Sequence, residues 1–397
     1  MADAASIPGP PNESYLRLFL RFLRFGLLAW GGPVAQIDMI RHELVERERW
    51  VSNERFLRTL AIYQALPGPE AHELCVYFGV LSRGRLGGML AGLGFMLPGF
   101  TLMFLLSWLY ARHGIDHARV ALAFAGVQPA VVALIARAIV RIGRRALTSA
   151  WLGMLAPLAL LASLLGLHFL LTLGGAGVIY ALVRRRKRLA TLALLAALAA
   201  GFVWVQAPPQ ASAVGESGPA ARTVSVPSLF LSGLRTGLLT FGGAYTSIPF
   251  LQQDAVVRGG FMTNREFLDG IALGGVLPAP LIIFGTFVGY IGGGTAGALA
   301  LTAGIFLPAF SFTLVGHQYL ERAVHNPALH DFLDGITAGV VGLIAATTLD
   351  LARSVLTAPA SLAIFAIALV ALIIWRAGYA VAVVMLVAGV AGWLGLG

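Results

Sequence analysis

Two kinds of helix-breaking motif are the groups in this chain best able to bind an anion. Gly31-Gly32-Pro33 and Pro67-Gly68-Pro69 each interrupt an apolar stretch. Glycine and proline cost a helix interior about 1 and 3 kcal/mol relative to alanine, so one helix ends at each motif and another begins. A helix that begins inside a protein presents unpaired backbone N–H groups and the positive end of its dipole. The motifs therefore predict an anion site made largely of backbone.

Both motifs recur in the second half of the chain at a constant offset. Gly242-Gly243 corresponds to the first break and Pro278-Ala279-Pro280 to the second, within an internal repeat that begins LRFGLLAWGGP and LRTGLLTFGGA. A duplicated apolar chain with breaks at matching places is typical of secondary transporters. The alternative is that the breaks are kinks needed only for packing. The presence of both break types in both halves favours a shared binding site.

Arg24 and Arg235 are the charged residues that we predict to contact the anion. Each lies two helical turns before its glycine pair, on the same helix face. An arginine in an apolar segment costs about 2.5–3.5 kcal/mol and usually marks a pathway or an ion pair. Snorkelling to the membrane interface is the alternative, which we prefer for Arg17 and Arg21 because their counterparts are serines.

Acidic and polar residues near the breaks are candidates for carrying protons and for lining a cavity. Glu70 directly follows the Pro-Gly-Pro break with His72 and Glu73 close by, and Asp38 follows the first break. The simpler interpretation of Glu70 is a carboxylate that satisfies the helix dipole. The uncharged polar residues predicted to line the cavity are Gln36, Thr240, Tyr245 and Thr246.

The elements that position these residues must lie in a membrane. Hydrophobic residues make up 58% of the chain and charged residues only 12%, against roughly a quarter charged in globular proteins. Apolar runs such as 151–182, 189–205 and 358–375 approach or exceed the ~20 residues needed to cross a bilayer. We therefore expect an all-α polytopic membrane protein.

The apolar runs give about thirteen helical elements, which divide into two homologous repeats. We predict a first repeat over 14–206, a linker over 207–225 rich in Pro, Ala, Ser and Gly, and a second repeat over 226–396. The first two elements of each repeat are broken, and each either spans or re-enters the membrane. The predicted elements are 14–48, 55–82, 85–112, 118–145, 150–166, 167–183, 189–206, 226–257, 265–291, 295–320, 330–353, 358–375 and 377–396.

Parity and charge both predict that the second repeat is inverted relative to the first. Seven elements precede the linker and six follow it, and an odd number of crossings turns the second repeat over. Cytoplasmic loops carry an excess of Lys and Arg. The basic residues predicted to share one side under inversion are Arg83, Arg85, Arg141, Arg144, Arg145, 184–188, Arg258, Arg265, Arg322 and Arg376.

Several function classes lack the motifs that they need. The single cysteine, Cys75, excludes a disulfide within the chain and a cysteine-rich metal site, and the histidines show no metal-ligand spacing. No G-x-x-x-x-G-K-[ST] loop is present to bind ATP, and Met1 to Ser14 lacks the basic start of a signal peptide. The net charge of +10 fits the positive-inside rule better than nucleic acid binding. We predict no catalytic residue, metal or cofactor.

Six motifs together resemble the chromate ion transporter family in its long two-domain form. They are FGLLAWGGP, LPGPEA with Tyr77-Phe78-Gly79, FMLPGF around Pro98, LLTFGGAYTSIPFL and LPAPL, and the resemblance covers about residues 15–395. The family usually has Pro-Gly-Pro where this chain has Pro278-Ala279-Pro280, and a proline in place of Ala244. The resemblance implies an exporter in the inner membrane that removes chromate from the cytoplasm by using the proton gradient, with sulfate as a similar oxyanion.

The resulting hypothesis is a secondary transporter that exports chromate across the bacterial inner (plasma) membrane. The negative-inside potential favours outward movement by about 2.3 kcal/mol per charge per 100 mV, so the export of a dianion is electrically downhill. The expected partners are chromate, sulfate, protons and the lipid bilayer, with a homodimer as a candidate assembly. A carrier for sulfate or another anion, an anion channel and a membrane reductase remain the alternatives.

Overall fold

The computed structural model describes residues 9–113, 118–186, 224–324, 327–375, 377 and 379–395. Within these ranges the chain forms fourteen α-helices and no β-strand, which confirms the all-α prediction. The helices are α1 (Tyr15–Leu27), α2 (Pro33–Ile40), α3 (Asn53–Ala65), α4 (Glu70–His113), α5 (Ala118–Ala146), α6 (Ala150–Leu164), α7 (Phe169–Arg184), α8 (Val226–Leu239), α9 (Ile248–Gln252), α10 (Asn264–Val276), α11 (Gly285–Val324), α12 (Pro327–Val355), α13 (Pro359–Ile374) and α14 (Ala380–Trp393). Short π-helical turns extend α2 and α9, and 3₁₀ turns lead into α9 and α11.

Corresponding helices of the two halves begin at corresponding caps. The Ser14 side chain accepts a hydrogen bond from the backbone of α1, and Ser225 does the same for α8. Ser52 caps α3, and Thr263 caps α10. A Ser or Thr at this position pairs a backbone N–H that the first turn leaves free, typically for about 1 kcal/mol. The duplication therefore extends to the local signals that start each helix.

The predicted helical elements agree with the described helices. Every predicted element that falls within the described residues is helical, and the breaks lie at the Gly-Gly and Pro-x-Pro motifs. The predicted element over 189–206 lies outside the described residues, as does nearly all of the predicted linker over 207–225.

Each broken element turns back on itself and forms a helical hairpin. In the second half, Gly270 faces the Phe287 ring and Gly274 faces Phe284, so α10 and the chain that follows the break run antiparallel. In the first half, the rings of Phe56 and Phe78 stack across the equivalent hairpin, with their centroids 6.4 Å apart. The broken elements therefore re-enter rather than cross.

A second turn divides α4 and α11 into a short arm and a long arm. Gly84 and Gly294 have φ values of +63° and +58°, which favour glycine, and the helix reverses there. Gly79 then packs on Gly87, and a Cβ atom on Gly79 would lie 2.4 Å from the Gly87 carbonyl oxygen. We call 85–113 and 295–324 the long arms.

The hairpins place both of their ends at the same end of the molecule. In the second half, the Val224 backbone N–H donates to the Gly292 carbonyl oxygen at 2.9 Å, and the Phe261 ring lies against Gly292. Arg258 and Arg265 flank Phe261, whereas Arg322 lies at the far end of a long arm. The prediction that all of these arginines share one side is therefore wrong, because it treated re-entrant hairpins as crossings.

The two long arms pack side by side in opposite directions. A Cβ atom on Gly88 would lie 2.8 Å from Leu314, and one on Gly92 would lie 2.5 Å from Phe310. The later residue of the first arm thus contacts the earlier residue of the second arm, as in an antiparallel pair. These antiparallel arms correspond to each other in the repeat.

The last helices of each half pack on the long helix of the other half. Gly342 of α12 contacts Ala156 of α6, and Gly335 contacts Gly177 of α7. In return, Gly126 of α5 meets Gly392 of α14. Glycine permits these close approaches because a Cβ atom would collide with backbone atoms. The halves are thus interlocked: the largest core cluster contains residues of both, while a second cluster lies within residues 18–95 of the first half.

Four helices in the described chain are long and apolar enough to cross a membrane. They are Glu70–Arg112, Val120–Ala146, Leu281–Val315 and Leu329–Val355. The first and third include the tight turns, so the long arms are their spanning parts. Helices α6, α7, α13 and α14 are apolar but shorter. The protein is a multi-pass membrane protein.

We predict that adding one methyl group to Gly233 will destabilise the fold. A Cβ atom there would lie 2.2 Å from the Leu301 carbonyl oxygen, so Gly233→Ala must separate α8 from its long arm. A loss of about 1–3 kcal/mol is expected, which will lower the unfolding temperature of the purified protein in detergent.

The matched control is Gly153→Ala on α6, where no atom lies within 4 Å of the added methyl group. This change should leave the unfolding temperature unchanged or raise it, because alanine favours a helix over glycine. Equal melting of the two variants would contradict the packing of α8.

Candidate functional site

A cavity in two lobes lies between the breaks of the two halves. The first lobe has a volume of about 750 Å³ and the second about 530 Å³. The lobes are continuous because they share lining residues, namely Pro33, Val34, Ile37, Leu60, Arg141, Arg145 and Tyr245. Residues from both halves are needed to form it.

The first break provides a helix start at the cavity wall. Gly32 has a φ of +80° and precedes Pro33, the first residue of α2, as the sequence predicts. The break and the first turn of α2 line the first lobe through Gly31, Gly32, Pro33, Val34 and Ala35. The positive end of the α2 dipole therefore adjoins the cavity.

The second half contributes its two breaks to different lobes. Gly242, Gly243 and Tyr245 line the second lobe, and Tyr245 also reaches the first. From the second break, Ala279 lines the first lobe, while the flanking Pro278 and Pro280 are buried in the packing around it. Three of the four breaks therefore line the cavity, whereas Pro67-Gly68-Pro69 does not, and Pro33 is the break proline that lines it.

Three arginines on α5 form a stripe along the cavity. Arg137, Arg141 and Arg145 lie at i, i+4 and i+8, so they share one face of the helix, and all three line the first lobe. In the described part of the chain, none of them has an ion-pair partner within 4 Å. We call these residues the arginine stripe.

The arginine stripe is the part of the cavity that the sequence analysis missed. Arg141 and Arg145 were attributed to membrane orientation, and Arg137 was not singled out. The signal that could have found them is their four-residue spacing, which puts three charges on one face of a mostly apolar helix.

Charge is distributed unevenly between the lobes. Arg41 joins the arginine stripe in the first lobe, where Asp38 is the one acidic residue of the described lining. The second lobe has Arg141 and Arg145 against Glu70 and Asp334. An anion is therefore favoured in the first lobe, where four arginines face one carboxylate. The acidic candidates Asp38 and Glu70 both line the cavity, in different lobes.

The Pro67-Gly68-Pro69 break is buried and links the two halves. The Gly68 backbone N–H donates to the Thr240 carbonyl oxygen at 2.9 Å. Thr240 ends α8, directly before the Gly242-Gly243 pair, so this bond joins a break of one half to a break of the other. It satisfies two backbone groups that the breaks would otherwise leave unpaired in an apolar surrounding.

Three predicted cavity residues instead support the break loops. Gln36 is buried, and its Nε2 donates to the Ala29 carbonyl oxygen at 2.9 Å. The Thr246 hydroxyl donates to the Gly243 carbonyl oxygen at 2.7 Å, and the buried Thr240 hydroxyl donates to Thr236. These bonds hold the loops in place, and the three side chains do not line either lobe.

The two predicted anion-contacting arginines lie outside the cavity. Arg24 is exposed in the last turn of α1, where a cation suits the helix dipole. Arg235 forms an ion pair with Asp254 and lies over the Phe169 ring. Neither lines a lobe, so the structure brings the anion candidates of the breaks together without these two side chains.

His72 and Glu73 are buried between the halves. The His72 ring lies between the rings of Phe306 and Phe310, with centroid distances of 5.0 and 4.7 Å. The Glu73 carboxylate lies against Gly68. Of the acidic and histidine candidates that follow the Pro-Gly-Pro break, Glu70 is the one that reaches the cavity, next to Gln64 in the second lobe.

The fold and the cavity define a multi-pass membrane transporter built from broken helices around a basic chamber. A sequence profile described as Chromate transporter matches residues 16–214 and 227–393. The chain belongs to the chromate transporter family, as its motifs predict, and this family membership assigns it to transport rather than to enzyme catalysis. The two matched ranges fall one in each half of the chain.

Three relatives span nearly the same length as this chain. It is 54% identical to the "Chromate transport protein" of Pseudomonas aeruginosa, over 99% of this chain and 95% of that protein. It is 29% identical to the "Probable chromate transport protein" of Synechococcus elongatus, over 96% and 97%. It is also 29% identical to the "Chromate transport protein" of Cupriavidus metallidurans, over 90% and 88%. No solved structure matches the chain.

Proposed function

We propose that this protein exports chromate from the cytoplasm and binds it in the first lobe of the cavity. The observation that carries the proposal is the arginine stripe, which faces the start of α2 across a chamber formed by both halves. The 54% identity to a protein named for chromate transport supports the choice of anion. Arg24 and Arg235 are kept as alternative anion contacts, and the same assay tests them.

The chemistry of the lobe suits a tetrahedral dianion. Such an ion is strongly hydrated, so it needs several donors when it leaves water. Guanidinium groups offer paired N–H donors to oxyanions, and the first turn of α2 adds its dipole. Because the wide lobe also admits water, the ion is held without being trapped. Sulfate has the same charge and shape, so a sulfate carrier is the alternative that competition must separate.

The membrane arrangement that we propose is a pair of inverted repeats in the bacterial inner membrane. The antiparallel long arms support inversion, because they correspond in the repeat and both cross the bilayer. The positive-inside rule then puts Arg83, Arg85, Arg144 and the end of α7 on the cytoplasmic side. The first lobe reaches Arg145, next to Arg144 near the end of α5, so we propose that chromate enters from the cytoplasm.

The drive that we propose is the electrical part of the proton motive force. Moving a dianion outward gains about 4.6 kcal/mol per 100 mV, twice the value for one charge. Glu70 lies in the second lobe, which adjoins the first lobe where the ion binds. Its negative charge there opposes anion binding. Protonation of Glu70 therefore strengthens binding, and the residue adjusts affinity to pH rather than exchanging protons for chromate.

We predict that Arg141→Gln will reduce chromate uptake into inverted membrane vesicles by about 10–100-fold. A hydrogen bond to a charged group contributes about 1.5–3 kcal/mol, and each 1.4 kcal/mol is a factor of ten. The matched control is Arg144→Gln, which changes the same helix at an exposed position outside both lobes and should transport within about twofold of the unchanged protein.

Arg24→Gln and Arg235→Gln are measured in the same vesicles at equal expression. Full transport by Arg141→Gln together with loss in Arg24→Gln or Arg235→Gln would move the site to the predicted pair. Sulfate that competes equally with chromate would favour the general oxyanion carrier.

We predict that Glu70→Gln will remove most of the pH dependence of chromate affinity. The amide mimics the protonated carboxyl group, so the variant should bind at high pH as tightly as the unchanged protein does at low pH. Equilibrium binding of labelled chromate between pH 6 and 8 measures this. A variant with the original pH profile would exclude Glu70 from proton linkage.

We predict that Arg144 and Arg353, which correspond in the repeat and are both exposed, face opposite sides of the membrane. Arg144→Cys and Arg353→Cys are each made with Cys75→Ala. A membrane-impermeant maleimide should then label position 353 in whole cells and position 144 in inverted vesicles. Labelling of both from the same side would contradict the inversion.

A further inference from the structure

Corresponding residues of the two halves differ sharply in exposure around the cavity. Leu57 is 48% exposed, whereas its counterpart Leu268 is fully buried. Trp30 is 43% exposed, whereas its counterpart Phe241 is 8% exposed. The cavity is therefore open on the side of the first half, and the equivalent space on the side of the second half is closed.

Three side chains tie the closed side together. Gln252 at the end of α9 donates from Nε2 to Asp350 at 2.9 Å and to the Asn264 oxygen at 3.1 Å. Asn264, the first residue of α10, donates to the same Asp350 oxygen at 3.2 Å. The carboxylate of Asp350 on α12 thus acts as the acceptor that joins both hairpins to the long helix.

Two of the three corresponding positions on the open side carry different chemistry, and the third, Asn53, is again an asparagine. Val131-Val132 corresponds to Val340-Val341, so Arg141 corresponds to Asp350 in the repeat. In the same way, Arg41 in the first hairpin of the first half corresponds to Gln252 in the second half. Arg41 and Arg141 both line the first lobe. Two cations therefore stand where the closed side has a donor and an acceptor.

The neighbouring charges do not supply the missing acceptor. Arg41 has Glu46 at 3.3 Å on its own helix, which leaves Arg141 without a carboxylate within ion-pair distance among the described residues. The other charged groups of the lobe are Asp38, Arg137 and Arg145. Like charges repel, so α2 and α5 resist closing over an empty lobe.

We propose that the transported anion itself closes the open side by bridging Arg41 and Arg141, in the role that the Asp350 carboxylate has on the closed side. This inference rests on the proposed function. It makes Arg41 and Arg141 the residues that determine specificity, because a dianion offers each guanidinium group its own oxygens and carries twice the charge of a halide.

The decisive variant is Arg141→Asp, which places a carboxylate where the closed side has one. Hydrogen exchange is measured by mass spectrometry on the full-length protein in lipid nanodiscs without chromate. We expect amides of residues 53–60 at the start of α3 to exchange about tenfold more slowly than in the unchanged protein. Arg144→Asp, outside the lobes on the same helix, is the matched control and should exchange like the unchanged protein.

Asp350→Ala tests the other side. Removing the acceptor should speed exchange in residues 264–271 by about tenfold without chromate. In the unchanged protein, saturating chromate should slow exchange in 53–60, whereas chloride should not. Occupancy is measured separately by equilibrium dialysis of labelled chromate, and gel filtration checks that each variant is folded.

The outcomes separate this inference from the proposed function. If chromate does not bind, the proposed function fails and the anion step of the inference fails with it. If chromate binds at full occupancy and exchange in 53–60 stays fast, the proposed function stands and the inference is overturned. Equal exchange of Arg141→Asp and Arg144→Asp also overturns it, whatever chromate does.

Discussion

Every interruption of a helix within an apolar surrounding leaves backbone polar groups that something else must satisfy, and this protein is organised around that constraint. The bond from Gly68 to Thr240 pairs one break with another across the two halves. The side chains of Gln36 and Thr246 also satisfy backbone groups near the first break of each half, because each donates a hydrogen bond to a carbonyl oxygen there. At the start of α2, the break lines a cavity instead. At the binding site, the backbone groups of the break are thus left to pair with water and with the ligand.

Close packing of glycine keeps these breaks in register. The contacts of Gly233 with Leu301 and of Gly342 with Ala156 let helices approach at backbone distance. Because the last helices of each half pack on the other half, the hairpins are held between two interlocked sets of helices. A cavity formed at that junction changes shape when one set moves relative to the other, which is the property that a transporter needs.

The duplication supplies two similar scaffolds, and function arises from the positions at which they differ. Arg137, Arg141 and Arg145 of α5 correspond to Ala346, Asp350 and Ser354 of α12. One copy therefore attracts an anion, and the other closes on its own carboxylate. Glu70 likewise has Leu281 as its counterpart, so the acid of the second lobe also belongs to one half alone. An inverted pair with identical chemistry would bind equally from both sides and would have no preferred direction of closure.

The sequence alone determined the membrane setting, the two repeats, the place of every break and nearly every described helix, because these depend on local composition and on glycine and proline at fixed positions. It also indicated that the first break can bind an anion and that the chain resembles the chromate transporter family. Tertiary structure decided the rest. Whether a broken element crosses or turns back depends on contacts such as Gly270 with Phe287, which sequence spacing does not reveal. The same is true of charge: Arg24 and Arg141 are both arginines in apolar helices, and only the packing of other elements puts one at the surface and the other in the cavity.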